Sequence, residues 1–324
     1  MISAACSQLL DRAAVYGPLY GNDLSNHLPM ALVALDRMGA SPTRLEQFYA
    51  RYASRLVRRR PPAAPLQPNH SFGVMSDFEG VLAYFREQIA ERGKEPVLRA
   101  WLPFLIPGVA ASAFHALIRL AYAVDAYHDG EIAAGLACWV TEYQRLGELG
   151  APTRRSLDDI VGELSQRSAA HRFNPGLIVD RMADAAQLPA VLAAATQPEH
   201  LQFADVANFA IRMYAACGDF TVLHMVTGCH ALRIISPYLE DPAAATRHLW
   251  HAVMLAFLST GLELQRTDRA SAAPRHDWPQ CLGRAVESDN DHVVKLTYTA
   301  WREAAVTHDP LYHYAACRVA CGTG

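Results

Sequence analysis

Apolar residues recur at three- and four-residue intervals along the whole chain, in segments rich in alanine, and strand-like alternation is scarce. That spacing gathers side chains on one face of an α-helix, so the chain is restricted to helices packed on one another. Ser41 followed by Pro42, then Leu45, Phe48, Tyr49 and Tyr52, predicts a capped helix start with an apolar stripe. Comparable stretches predict helices over residues 77–91, 109–125, 131–146, 156–170, 198–216, 219–235, 243–262, 290–307 and 309–321. The expected fold class is all-α, a single helical-bundle-like domain spanning residues 1–324.

Two irregular stretches interrupt the pattern. Residues 58–68 hold Pro61, Pro62, Pro65 and Pro68 and read as an extended loop, because proline removes donors and blocks helix. The second runs over residues 267–279. Candidate site residues lie on both sides of each, so neither reads as a linker between domains. Apolar residues make up 51% and charged residues 19% of the 324, enough for a sizeable core. The net charge is −3, with no basic stripe and no long charge block, so nucleic acid is not an expected partner. The start, Met1-Ile2-Ser3-Ala4-Ala5, lacks a basic region followed by an apolar core. The most apolar stretch, residues 97–124, is interrupted by Arg99, Pro103, Pro107, His115 and Arg119, too often for a membrane span. Seven scattered cysteines form no CxxC pair and read as reduced thiols. The expectation is a cytoplasmic protein without a membrane partner.

Familiar catalytic signatures are missing from the sequence. It contains no GxGxxG, GxxxxGK[ST], HExxH or GxSxG, which argues against a dinucleotide held by a Rossmann unit in this chain. Basic residues are more telling. Of 29, all but Lys94 and Lys295 are arginine. Lys94 sits in a polar turn. Lys295 lies among apolar residues, three positions after His292. A buried lysine can lose its proton and act as a base, form a Schiff base or take up carbon dioxide as a carbamate, none of which arginine does.

Histidine supplies the remaining signal. Five of the 14 occupy apolar helical surroundings: His27, His115, His224, His230 and His292. Asn26 reads as an N-cap with Pro29 in the first turn, and His115 as mid-helix. His224 and His230 share one helix but are six residues apart, about 240° around its axis, so both cannot point at one centre. His292 and Lys295, at i and i+3, share a face. A single buried imidazole is commonly a neutral ring bonded to an oxygen. Several on different helices also suit a metal site between facing helices. His248 and His251 form the best competing pair. The rest, including His128, His171, His200, His276, His308 and His313, read as structural or exposed.

Four of these segments together resemble the questin oxidase family. They are residues 26–32 with Met38-Gly39-Ala40-Ser41, then Phe114-His115-Ala116-Leu117-Ile118-Arg119, residues 223–233, and residues 291–296 with Asp309-Pro310. The resemblance implies a metal site buried between helices: a mononuclear non-haem Fe(2+) held by His27, His115, His224, His292 and a carboxylated Lys295, with His230 as the alternative to His224. It implies an oxygenase that takes dioxygen and opens, or inserts oxygen into, an aromatic or quinone-like polyketide ring. A carbamate on Lys295 would offset part of the metal charge that four neutral imidazoles leave uncompensated. Thr227, Asp289 and Asp291 are candidates to orient the imidazoles, and Arg119 to orient a phenolate or carboxylate. A metal-free Baeyer–Villiger-type oxidase using external reductant such as NADPH is the enzymatic rival. A non-catalytic helical protein that binds a metal or ligand is the other.

Overall fold

The computed structural model describes residues 1–61, 63–264 and 274–322. Among them sixteen α-helices form: α1 (Ala4–Ala13), α2 (Leu28–Arg37), α3 (Pro42–Ala53), α4 (Phe78–Arg92), α5 (Lys94–Leu105), α6 (His115–Ala126), α7 (Asp129–Thr141), α8 (Leu157–Arg167), α9 (Ile178–Ala186), α10 (Pro189–Leu192), α11 (Phe203–Cys217), α12 (Phe220–Ile235), α13 (Pro242–Leu258), α14 (Trp278–Glu287), α15 (Asp291–Thr307) and α16 (Pro310–Cys321). The described strands are two-residue pieces. Leu19–Tyr20 pairs antiparallel with Leu24–Ser25, and Pro152–Thr153 pairs parallel with Gln197–Pro198. The fold is all-α, as the apolar spacing requires.

The predicted boundaries differ from the structure where backbone chemistry intervenes. The helix expected from residue 109 starts only at His115, because Ser112, Ala113 and Phe114 adopt left-handed backbone with φ of 48°, 55° and 71°. His115 therefore heads α6 and is not in its middle. The helix expected from residue 198 begins at Phe203, since Gln197–Pro198 is committed to a strand pair. Asn26 is not the cap of α2; His27 holds that position, and the Asn26 side chain instead bonds Gly17 O and Leu28 N. Helices α1, α5, α9, α10 and α14 went unread: α5 carries Pro103 inside it, α10 is four residues long, and α14 begins at Trp278 within the stretch read as irregular. Most of that stretch, and Pro62 of the first loop, lie outside the described residues.

One apolar core runs from Cys6 to Cys317. At its centre α2 packs on α6, α6 on α12, α12 on α15 and α15 back on α2, closing a ring of four helices. Two glycines permit close approach. A Cβ on Gly135 of α7 would meet Leu120 Cα at 2.8 Å, and one on Gly228 of α12 would meet the Phe114 ring at 2.9 Å. The α6–α7 contact also encloses an ion pair. Arg119 Nη2 lies 3.2 Å from Glu131 Oε2, with the two side chains 6% and 3% exposed. No helix among the described residues is long and apolar enough to cross a membrane.

The buried pair yields a stability prediction. Removing one partner leaves an uncompensated buried charge, which costs about 3–5 kcal/mol, whereas replacing both by apolar residues is often neutral. In urea denaturation, Glu131→Leu should lower stability by that amount, and Arg119→Met with Glu131→Leu should recover most of it. Equal losses in the single and double variants would contradict this reading of the contact.

Candidate metal centre

Each helix of the central ring brings one histidine, and all four come from its N-terminal end. His27 precedes α2, and its backbone N–H donates to Tyr52 Oη at 3.0 Å. His115 is the first residue of α6, His224 the fifth of α12 and His292 the second of α15. Ring centroids are 4.5 Å apart for His27 and His115, 4.9 Å for His27 and His292, 4.7 Å for His115 and His224, and 5.3 Å for His224 and His292. Ring nitrogens of His27, His115 and His292 lie within 4.8 Å of one another. His224 packs against His115 and His292 from the α12 side, outside that 4.8 Å group.

The Nδ1 atoms have oxygen partners. His115 bonds the Ser112 carbonyl, His224 bonds the Phe220 carbonyl at 2.8 Å, and His27 and His292 reach Asp291 Oδ2 at 2.5 and 3.1 Å. A carbonyl or ionised carboxylate only accepts, so the Nδ1 atoms of His27, His115 and His224 carry the proton and their Nε2 atoms keep the lone pair, while His292 Nδ1 faces the Asp291 carboxylate without a hydrogen bond to it. All four Nε2 atoms are buried and have no hydrogen-bond partner. An unsatisfied buried polar atom costs about 1–3 kcal/mol, so four in one place is a costly arrangement. Imidazole nitrogens fixed through Nδ1 to outer oxygens are the donor set that first-row transition metals take. The residues present therefore fit a metal.

Lys295 lies one turn after Asp291 on α15 and is 1% exposed, with Nζ 3.9 Å from Asp291 Oδ2. Burial lowers its pKa to about 8, against the opposing pull of Asp291. Burial, with the Lys295 charge, pushes His27 down to about 4 and His224 down to about 3. Burial alone would raise Asp291. Its hydrogen bond to His27 and the charges of His27, Lys295 and His292 override that and hold the carboxyl well below the usual range.

The candidates for orienting the imidazoles divide sharply. Asp291 holds two of them. The Thr227 hydroxyl instead bonds the Leu223 and His224 carbonyls of its own helix, and Asp289 pairs with Arg44 and Arg51. His230 faces away from the ring of imidazoles: its Nδ1 is 2.8 Å from Glu303 Oε1, and its ring packs on Tyr298. Arg119 is engaged by Glu131. His251 of the competing pair donates to the Leu146 carbonyl at 2.8 Å.

Three residues at the site escaped the sequence reading. Tyr52 holds the His27 backbone. Arg55 lies 3.9 Å from Asp291 Oδ1 and stacks on Tyr52. Phe220, 53% exposed, packs its ring on His224 and His292 at 4.9 and 4.6 Å. Tyr52 and Arg55 also line a cleft of about 340 Å³ with Arg51 and Asp289. A roomier cleft of about 710 Å³, bounded by Arg155, His200 and Arg212, is lined by none of the four histidines.

The lowered imidazole pKa values set a pH window. In the unfolded chain these groups return to 6.5, so unfolding takes up protons. Their contribution to stability is present above about pH 6.5 and is lost as pH falls through about 4. The urea midpoint of the metal-free protein should drop between about pH 7 and 4.5, and His27→Gln with His224→Gln should flatten that drop. An unchanged slope in the double variant would refute the assignment.

No curated protein matches the sequence. The family model described as questin oxidase-like matches residues 24–300, a span that takes in His27, His115, His224, His292 and Lys295, and by that match the chain belongs to the questin oxidase-like family.

Proposed function

We propose that this protein is a non-haem iron oxygenase acting on an aromatic or quinone-like substrate of polyketide type, with His27, His115, His224, His292 and a carboxylated Lys295 holding the iron. The family name points to an oxidoreductase. The observation that carries the finer reading is the clustering of four imidazoles, from four helices, whose buried Nε2 atoms have no hydrogen-bond partner, beside the buried Lys295. A metal-free oxidase would leave those four nitrogens unsatisfied, so the reading with iron is preferred.

The charges support Lys295 as a ligand. Four neutral imidazoles leave the +2 of ferrous iron intact, and four helix N-termini each add positive potential at the same place. In the carboxylation, the neutral Nζ forms a bond to carbon dioxide, a C=O electron pair moves onto oxygen, and one proton leaves the nitrogen for solvent. The product carries −1, and ionised Asp291 carries another −1, which together balance the metal. Arginine cannot undergo this change, which accounts for a lysine in a chain that otherwise writes its core charge as arginine.

When bound, iron supplies the one-electron steps that let dioxygen react with a closed-shell ring. The chain's own residues do the rest. Asp291 and the Ser112 and Phe220 carbonyls keep every Nε2 aimed inward. Phe220 is both exposed and in contact with two histidines, and offers a face on which an aromatic ring stacks. Arg55, half-exposed and beside Asp291, orients a phenolate or carboxylate arriving from solvent. Arg119 is already neutralised by Glu131, so that role passes to Arg55.

Elemental analysis tests the reading. Protein reconstituted anaerobically with iron should hold one iron per chain. His224→Ala should lose it and His230→Ala should keep most of it, while Asp291→Ala should weaken binding roughly 10–100-fold. Dioxygen uptake with a panel of anthraquinones should follow iron content. Iron near zero after reconstitution, or iron without turnover of any dioxygen, would overturn the metal assignment or the activity respectively.

A further inference from the structure

A second cluster of metal-ligating side chains lies outside the central ring, between α14 and α16. Cys281 comes from α14. His313, Cys317 and Cys321 follow at four-residue spacing along α16, one stripe of that helix. Ligand atoms of Cys281, His313 and Cys317 lie within 4.8 Å of one another, and the Cys281 and Cys317 sulfurs are 3.0 Å apart. Cys321 lies one turn beyond Cys317 on the same stripe of α16, outside that 4.8 Å group. Cys281, His313 and Cys317 therefore form one group, of which Cys281 and Cys317 are buried, with Cys321 placed to complete it from the next turn.

The imidazole is arranged as those of the central site are. The His313 Nε2 is buried and has no hydrogen-bond partner. The His276 backbone carbonyl accepts from the Cys317 thiol at 3.3 Å. Trp278 stacks on the His313 ring at 4.3 Å with an interplanar angle of 11°, fixing its plane. A stacked ring that sets the orientation and a free buried nitrogen suit a ligand histidine.

We infer that Cys281, His313, Cys317 and Cys321 form a structural zinc site of the Cys3His type. Three thiolates and one imidazole make a closed tetrahedral shell for this ion, leaving no position for substrate. On binding, each thiol gives one proton to solvent and its sulfur pair to the metal, while Nε2 gives its lone pair. Zn–S bonds of about 2.3 Å place two sulfurs about 3.8 Å apart in a tetrahedron, so Cys281 and Cys317 separate by less than 1 Å from their present contact, by roughly the same geometry. A disulfide between those two would use only half the group and leave the His313 nitrogen and the Cys321 thiol without a role. The site ties α14 to α16, both of which pack on α15, the helix that carries Asp291, His292 and Lys295.

Cobalt titration of the full-length, reduced, chelator-treated protein reads this site alone, because a shell of nitrogen and oxygen donors gives no thiolate-to-cobalt absorption. The expected result is a near-ultraviolet charge-transfer band with intense tetrahedral visible bands, saturable with cobalt and erased by excess zinc. Cys281→Ser with Cys317→Ser should abolish the band while circular dichroism stays helical. If that variant does not fold, His313→Gln should shift the visible bands instead. No charge-transfer band in the unsubstituted protein, a spectrum unchanged by either substitution, or a reduction-sensitive Cys281–Cys317 disulfide in protein that binds no cobalt would overturn the proposal. None of these outcomes depends on whether the central site holds iron.

Discussion

Four clustered imidazoles organise this molecule. Three donate their Nδ1 protons to oxygens that can only accept, the fourth sets its Nδ1 against Asp291, and all four Nε2 atoms are buried with no partner in the protein. The central ring of α2, α6, α12 and α15 can be read as the device that brings those rings together. Drawing each imidazole from the start of its helix has a further consequence: the positive ends of four macrodipoles gather around the site. A cation there needs compensating negative charge; α15 carries Asp291, and the proposed carbamate on Lys295, one turn later, would add to it.

The backbone carries strain where the site needs a particular direction. Ser112, Ala113 and Phe114 are three consecutive left-handed residues without a glycine, each costing on the order of 1–3 kcal/mol. Their neighbours hold them in place. Phe114 packs into the space that Gly228 leaves open, the Ser112 hydroxyl bonds the buried Glu142 carboxyl, and the Trp139 indole donates to the Gly108 carbonyl at 3.0 Å. The reward of this turn is the placement of His115: the Ser112 carbonyl is folded back onto its Nδ1, and Nε2 is aimed at the other imidazoles.

The helical class was legible in the sequence because three- and four-residue spacing is a local property of each segment, and most long helices begin within a few residues of their expected starts. The left-handed turn before His115 was not, since nothing in Ser112-Ala113-Phe114 favours positive φ; it is imposed by contacts with distant residues. Which face of α12 turns inward depends on its neighbours, so spacing alone could only say that His224 and His230 diverge. Asp291 could be found because it sits beside His292 and one turn before Lys295. Tyr52, Arg55 and Phe220 could not, as their roles arise where separate helices meet. The stripe of His313, Cys317 and Cys321 was visible at four-residue spacing, but it gains meaning only when α14 brings Cys281 against it.

The state of the Lys295 amine decides between a chain that supplies four neutral ligands and one that supplies the charge its metal needs. Carbon-13 NMR of protein loaded with diamagnetic zinc and exchanged with labelled bicarbonate at neutral pH observes that state directly. The account predicts one slowly exchanging carbamate resonance, absent from Lys295→Arg, with metal at the central site lost in the same variant. A protein that holds metal there with no labelled resonance, and a Lys295→Arg variant that holds it equally well, would contradict it.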